Sequence, residues 1–292
     1  MSMDRLQERI RKTKNPSVLQ LDVCVSDIPE HILEASSSVP MAVGFFCREL
    51  IVALKGIVPA VRFSFGSFAL LGPEGLTQLQ ELLRFASENQ YYTMLDAPEL
   101  LSPAAAQNAA ELLLGEQSAF CCDGLVASGY LGSDLMKPFL PYCKKGNKDV
   151  FVIARTGNKS ASEIQDLLSG SRLVHTVTAD QVNRFTTGTV GKCGYAGIAL
   201  MAAANSAESL RMLRSKYPQL FLLVDGYDYP NANAKNCSFA FDKVGHGAVV
   251  CSGSGLYASW KQEGTDGAEY LQQAVAAAER MKKNLSRYVN VL

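Results

Sequence analysis

None of the eight cysteines, Cys24, Cys47, Cys121, Cys122, Cys143, Cys193, Cys237 and Cys251, forms a C-x-x-C pair. That spacing excludes a zinc knuckle and a small disulfide-stapled fold, and leaves buried free thiols as the expectation. Net charge is lacking too, with 28 basic against 28 acidic residues. A surface built for polyanions is therefore excluded, so neither nucleic acid nor an anionic membrane is expected as a partner. Long apolar runs of membrane-spanning length are absent, and the opening MSMDRLQERIRKTKN is a charged amphipathic segment rather than a signal peptide. A cytoplasmic protein is the expectation. Histidine is scarce, and His31, His175 and His246 show no metal-ligand spacing; they are expected at the surface or at strand starts, with no metal and no cofactor. No linker rich in Gly, Ser or Pro divides the chain, which points to one domain over 1–292.

What is present is an alternation of short apolar runs with longer helical patterns. VLQLD (Val18–Asp22), VPAVRFSF (Val58–Phe65), YYTMLD, CDGLVAS, DVFVIAR (Asp149–Arg155), YAGIALM, LFLLVD and HGAVVCS read as eight strands. Between them the pattern predicts helices over Met41–Leu54, from Pro73 to Ser87, from Pro103 with Ser102 as N-cap, over Ser133–Cys143, across SASEIQDLL, and near Thr178–Phe185, Ala207–Ser215 and Ala234–Phe241. A helix at 3–14 precedes the barrel region (17–260), and an Ala-rich helix at 265–289 follows it. Continuous apolar strands paired with helices imply a parallel sheet covered on its outer face, and eight such pairs close a (β/α)8 TIM barrel of the α/β class.

One stretch, Tyr92–Ala105, runs from an apolar strand into Asp96-Ala97-Pro98-Glu99-Leu100-Leu101-Ser102. Barrel strands carry catalytic groups on their last residue and the loop that follows, so Asp96 and Glu99 are candidate site residues. The proline between them fixes the backbone and donates no hydrogen bond.

The segments LDVCVSDIPEHI, IVPAVRFSFGSFALLGPEGL, VIARTGNKSASEIQDL, LLVDGYDYPNA and HGAVVCSGSGLYASW together resemble the orotidine 5'-phosphate decarboxylase family of the longer bacterial type, from Asn15 to Trp260. The resemblance implies a cofactor-free carbon–carbon lyase of pyrimidine (UMP) biosynthesis that forms a homodimer across the barrel mouths. It also implies a D-x-K-x-x-D motif after strand three and a lysine on strand two. One carboxylate crowds the departing carboxylate and a lysine protonates the carbon left behind.

Against that pattern Asp96 stands at the first aspartate, Pro98 at the catalytic lysine and Leu101 at the last aspartate, while Arg62 stands at the lysine of strand two. Arginine keeps the charge but does not release a proton readily. The phosphate-gripping glutamine and arginine match Pro230 and Ser254, the three residues after strand six match Met201, Ala202 and Ala203, and the pyrimidine-contacting serine matches Gly157, followed by Asn158. Asp22 falls on a further family ligand position. Asp225 and Asp228 bring negative charge to the seventh loop, which disfavours a phosphorylated ligand. Arg62 is read equally as a neutraliser of Asp96 and as a ligand group. Glu99 is read as a helix-dipole partner ahead of a substitute acid. A divalent cation shared by Asp22, Asp96, Asp225 and Asp228 is the lesser reading. The resulting expectation is a non-decarboxylating homologue that binds a small molecule or partners another protein. The alternatives are a weakly active decarboxylase, converting OMP to UMP and CO2, or new chemistry on Asp96, Arg62 and Glu99.

Overall fold

A computed structural model describes residues 1–291 apart from Leu101 and Glu116, and excluding the Glu99 side chain. The roles expected of Leu101 and of the Glu99 carboxylate therefore lie outside the described residues. Eight parallel strands close a barrel: β1 (Ser17–Leu21), β2 (Ala60–Ser64), β3 (Tyr92–Asp96), β4 (Gly124–Ser128), β5 (Asp149–Arg155), β6 (Ala196–Ala203), β7 (Leu220–Asp225) and β8 (Ala248–Ser252). Each pairs with its neighbour in sequence and β8 returns to β1, giving a (β/α)8 TIM barrel.

The period of two along each strand sorts its side chains. Val18, Ala60, Tyr92, Met94, Phe151, Phe221, Leu223 and Val249 fill the barrel interior, and Met3, Leu6 and Ile10 of the N-terminal helix Ser2–Thr13 close its floor. Leu19, Val61, Phe63, Leu95, Leu222 and Val224 face outward into the layer of helices. The same alternation turns Gln20, Asp22, Arg62, Asp96 and Asp225 inward at the carboxyl ends of their strands. Five polar residues at the top of an otherwise apolar tube thus converge by register alone.

The helical layer departs from the sequence-based expectation in several places. The expected helix Ser133–Cys143 is three short pieces, Ser133–Met136, Lys137–Phe139 and Leu140–Lys144, because Pro138 and Pro141 interrupt the hydrogen-bond ladder. The helix expected from Pro103 begins at Ala106 and runs to Leu114, while Ser102 accepts only from Ala105 N–H in the preceding turn. SASEIQDLL contains a 3-10 turn, Lys159–Glu163, followed by a hairpin of Leu168–Ser169 with Arg172–Leu173 around left-handed Gly170. The next helix is Val174–Asn183. The terminal helices are Ser2–Thr13 and Tyr270–Ser286.

His175 corrects a surface assignment. It is 1 % exposed within Val174–Asn183, with Nδ1 2.9 Å from the Gln165 carbonyl, because its helix packs back on the barrel wall. Cys24 and Cys121 are exposed thiols; Cys47, Cys122, Cys143, Cys237 and Cys251 are buried. Among the described residues no helix is long and apolar enough to cross a membrane.

Candidate functional site

The site grows from Arg62, the third residue of β2 and only 2 % exposed. One guanidinium nitrogen, Nη2, donates to Asp96 Oδ2, and the other, Nη1, donates to Asp225 Oδ1 at 2.5 Å and to Gln20 Oε1 at 3.0 Å. A guanidinium holds its donors in a rigid planar fork, so it serves these acceptors in one fixed geometry. Burial alone would lower the Arg62 pKa, but the carboxylates of Asp96 and Asp225 outweigh it and hold it well above the usual arginine value. Asp96 is pushed the other way by the same enclosure: burial raises its pKa, with Arg62 opposing and Asp225 assisting the rise. The cation is thus fixed and the carboxylate is the group that could take a proton.

A second branch of the network runs through Gln20. Its Nε2 donates to Asp22 Oδ2 at 3.1 Å, and the Tyr257 hydroxyl donates to Asp22 Oδ1 at 3.1 Å. Burial raises the Asp22 pKa, against those two hydrogen bonds. Asp22, Arg62 and Asp96 thus share one hydrogen-bonded network. Asp22, however, is tied to Arg62 by way of Gln20 and forms no ion pair with it.

The segment after β7 folds over the mouth. Gly226 and Asn231 both adopt positive φ, 74° and 66°, and between them the chain turns Tyr229 inward. Its hydroxyl donates to Asp225 Oδ2 at 3.0 Å, and its ring lies so close to Gly157 and Gly226 that a Cβ at either would come within 2.4 Å of it. Asn205 Nδ2 fixes the Gly157 carbonyl at 3.0 Å. Asp228 accepts from Gly255 N–H at 3.0 Å and from the Ser254 hydroxyl at 3.4 Å. In TIM barrels the loops after the last two strands and the start of a short following helix commonly take a phosphate. Here that short helix is Ser254–Tyr257, and the amide already has a carboxylate on it.

The other expected positions are less engaged. Pro230 and Ser254 are exposed at the rim, and exposed Asn158 accepts from the Thr156 hydroxyl at 2.6 Å. Pro98 opens the turn Pro98–Leu100 and carries no ionisable group. Among the described residues no cluster of acids, histidines or cysteines has the geometry of a metal site, and Asp225 and Asp228 have separate partners. Gln20, Tyr229 and Tyr257 were missed from sequence. The inward alternation of VLQLD was the available signal for Gln20; Tyr229 and Tyr257 had none, since both depend on loop paths. Two buried atoms, Arg62 Nε and Asp96 Oδ1, have no hydrogen-bond partner among the described residues.

A closed parallel barrel with charged groups gathered at the carboxyl ends of its strands defines a TIM-barrel protein. Within that class the chain is a homologue of the orotidine 5'-phosphate decarboxylases. The decarboxylase of Rhodopirellula baltica is 28% identical over 268 residues, 89% of each chain, and that of Petrotoga mobilis is 27% identical over 280 residues, 94% of this chain and 96% of the other. The fold agrees with solved structures: a Toxoplasma gondii protein assigned to the orotidine-monophosphate decarboxylases superposes with TM-score 0.81 at 24% identity over 98% of both chains. Leishmania donovani OMP decarboxylase superposes with TM-score 0.72 at 22% identity, covering 97% of this chain and 99% of that one. No family model matches the chain.

Proposed function

We propose that this chain, organised as one cytoplasmic domain, is a homologue of the pyrimidine-biosynthesis decarboxylase whose mouth holds a small, non-phosphorylated molecule or supports a partner and does not decarboxylate efficiently. The observation that carries this is the state of Arg62. Its guanidinium is committed to Asp96 and Asp225, and no lysine ion-pairs with Asp22, Asp96 or Asp225 among the described residues. Protonating a carbanion needs a group that gives up a proton near neutrality, and a guanidinium held above its usual pKa does not. A missing general acid typically costs about two to four orders of magnitude in rate.

Four carboxylates, Asp22, Asp96, Asp225 and Asp228, gather at the mouth and only Asp96 and Asp225 pair with Arg62, which disfavours a dianionic ligand. Candidate ligand groups on the protein are Asp22, Asp96, Arg62, Gly157 and Asn158, with Pro230 and Ser254 at the rim. A homodimer packed mouth to mouth is part of the proposal.

A second reading, a weakly active decarboxylase or an enzyme with new chemistry on Asp96, Arg62 and Glu99, is favoured by the curated relatives, which align over about 90% of their length. A coupled assay with orotidine monophosphate, run beside calorimetric titration with uridine monophosphate, separates the two. No turnover and no heat are expected. Slow but measurable formation of uridine monophosphate would sink the proposal in favour of the second reading, and formation near an ordinary enzyme rate, on the order of 10 per second, would sink both.

A further inference from the structure

The opposite face of the barrel carries a second charged recess. The helix Ser2–Thr13 buries Met3, Leu6 and Ile10, and its other side carries Arg5, Arg9 and Lys12 at i, i+4 and i+7, which places them on one stripe. That stripe, with Lys55 and Asn89 from the loops before β2 and β3, lines a cavity of about 370 Å³. The volume lies at the lower end of the range that holds small ligands.

Most of the charge there is already engaged. Glu8, the single carboxylate of the lining, pairs with Lys12 at 2.8 Å, Arg5 pairs with Asp123 at 2.8 Å, and Lys55 donates to Asn89 Oδ1 at 3.0 Å. Arg9 is different: half-buried in the cavity wall, its guanidinium has no hydrogen bond or ion pair with any described residue. Burial lowers its pKa, and Arg5 adds to the fall against the longer-range pull of Asp123. A partly desolvated guanidinium with its donors unused is costly without a counter-charge, and its fork matches the oxygens of a phosphate.

We propose that this recess binds a small phosphate-bearing anion, gripped by Arg9 and flanked by Lys12 and Lys55. The modest volume of this open recess and the zero net charge of the chain favour a small molecule over a polyanionic surface. Because the recess lies at the floor of the barrel, it is independent of what the mouth does.

The test is calorimetric titration of the full chain with pyrophosphate at low ionic strength, together with lysine acetylation mapped by mass spectrometry. One saturable site is expected, with Lys12 and Lys55 protected by the ligand and binding weakened at least tenfold in Arg9→Gln. Arg11→Gln, an exposed cation on the same helix, should leave binding unchanged, and Lys55→Gln supplies a weakening variant on a different element should Arg9→Gln fold poorly. Absence of saturable heat overturns the proposal, as does equal weakening by Arg9→Gln and Arg11→Gln, which would mean diffuse attraction to the helix. Unprotected Lys12 and Lys55 would overturn it as well.

Discussion

Arg62 is both the least accessible charge of the mouth and the hinge of its electrostatics. Its two carboxylate partners, Asp96 and Asp225, are themselves largely buried, so removing the cation strands two carboxylates in low dielectric. Breaking such a pair by deleting one partner typically costs about 3–5 kcal/mol. Arg62→Leu is therefore expected to lower stability by about that amount at neutral pH, read from urea unfolding, and by less as acid protonates Asp96. A cost below about 1 kcal/mol at neutral pH would mean that the two carboxylates reach solvent once the cation is gone. Part of this was legible in the sequence. Arg62 and Asp96 lie on adjacent strands with Arg62 beside Met94, so the interior face of β3 delivers Asp96 to the guanidinium. Asp225 was not legible as its partner, because β7 lies across the barrel and 163 residues on, and no local pattern pairs them. His175 was misplaced for the converse reason: its neighbourhood reads as polar, and only the packing of Val174–Asn183 against β5 buries it.

At the level of elements, the apolar runs located all eight strands because a parallel barrel strand is buried on both faces and needs no alternation to be seen. Helix integrity was less visible, although Pro138 and Pro141 were there to be weighed, and the Gly170-Ser171 turn between Ser169 and Arg172 was a hairpin signal passed over. The segment from Gly226 to Asn231 matters most, since it delivers Tyr229 and Asp228 into the mouth together. Restoring one family-like residue therefore leaves the others in place. Pro98→Lys supplies an ammonium, yet Asp228 keeps the Gly255 amide and Tyr229 keeps its seat over Gly157. Pro98→Lys alone is expected to give no measurable uridine monophosphate from orotidine monophosphate. Pro98→Lys, Leu101→Asp, Pro230→Gln and Ser254→Arg, combined with Asp228→Gly and Tyr229→Ala, should give activity above background, because groups acting as a unit are strongly non-additive. Activity from the single variant would show that the loop after β7 does not block the site.

The whole molecule should be most stable on the acid side of neutrality, and the cause is spread over both ends of the barrel. At the floor, Asp149 opens β5 and accepts from the Tyr92 hydroxyl at 2.6 Å. Burial pushes its pKa up to about 7, with the Tyr92 hydrogen bond opposing. At the mouth, burial raises Asp22 and Asp96 in the same direction. A carboxyl whose folded pKa exceeds its unfolded one keeps a proton that the unfolded chain has lost, so between the ordinary carboxylate range near 4 and about 7 the folded state binds more protons and stability falls as pH rises. Asp180 and Asp242, both lowered, and Asp4, lowered to about 2, contribute the opposite slope, but only below the ordinary carboxylate range. Urea midpoints are therefore expected to decline between about pH 5 and pH 7.5, and the decline should flatten in Asp149→Asn, which keeps an acceptor for Tyr92 while removing the titration. An unchanged slope in that variant would assign the dependence to Asp22 and Asp96 at the mouth. A slope that rises with pH would mean that the buried carboxyls are ionised throughout and stabilised by their hydrogen bonds.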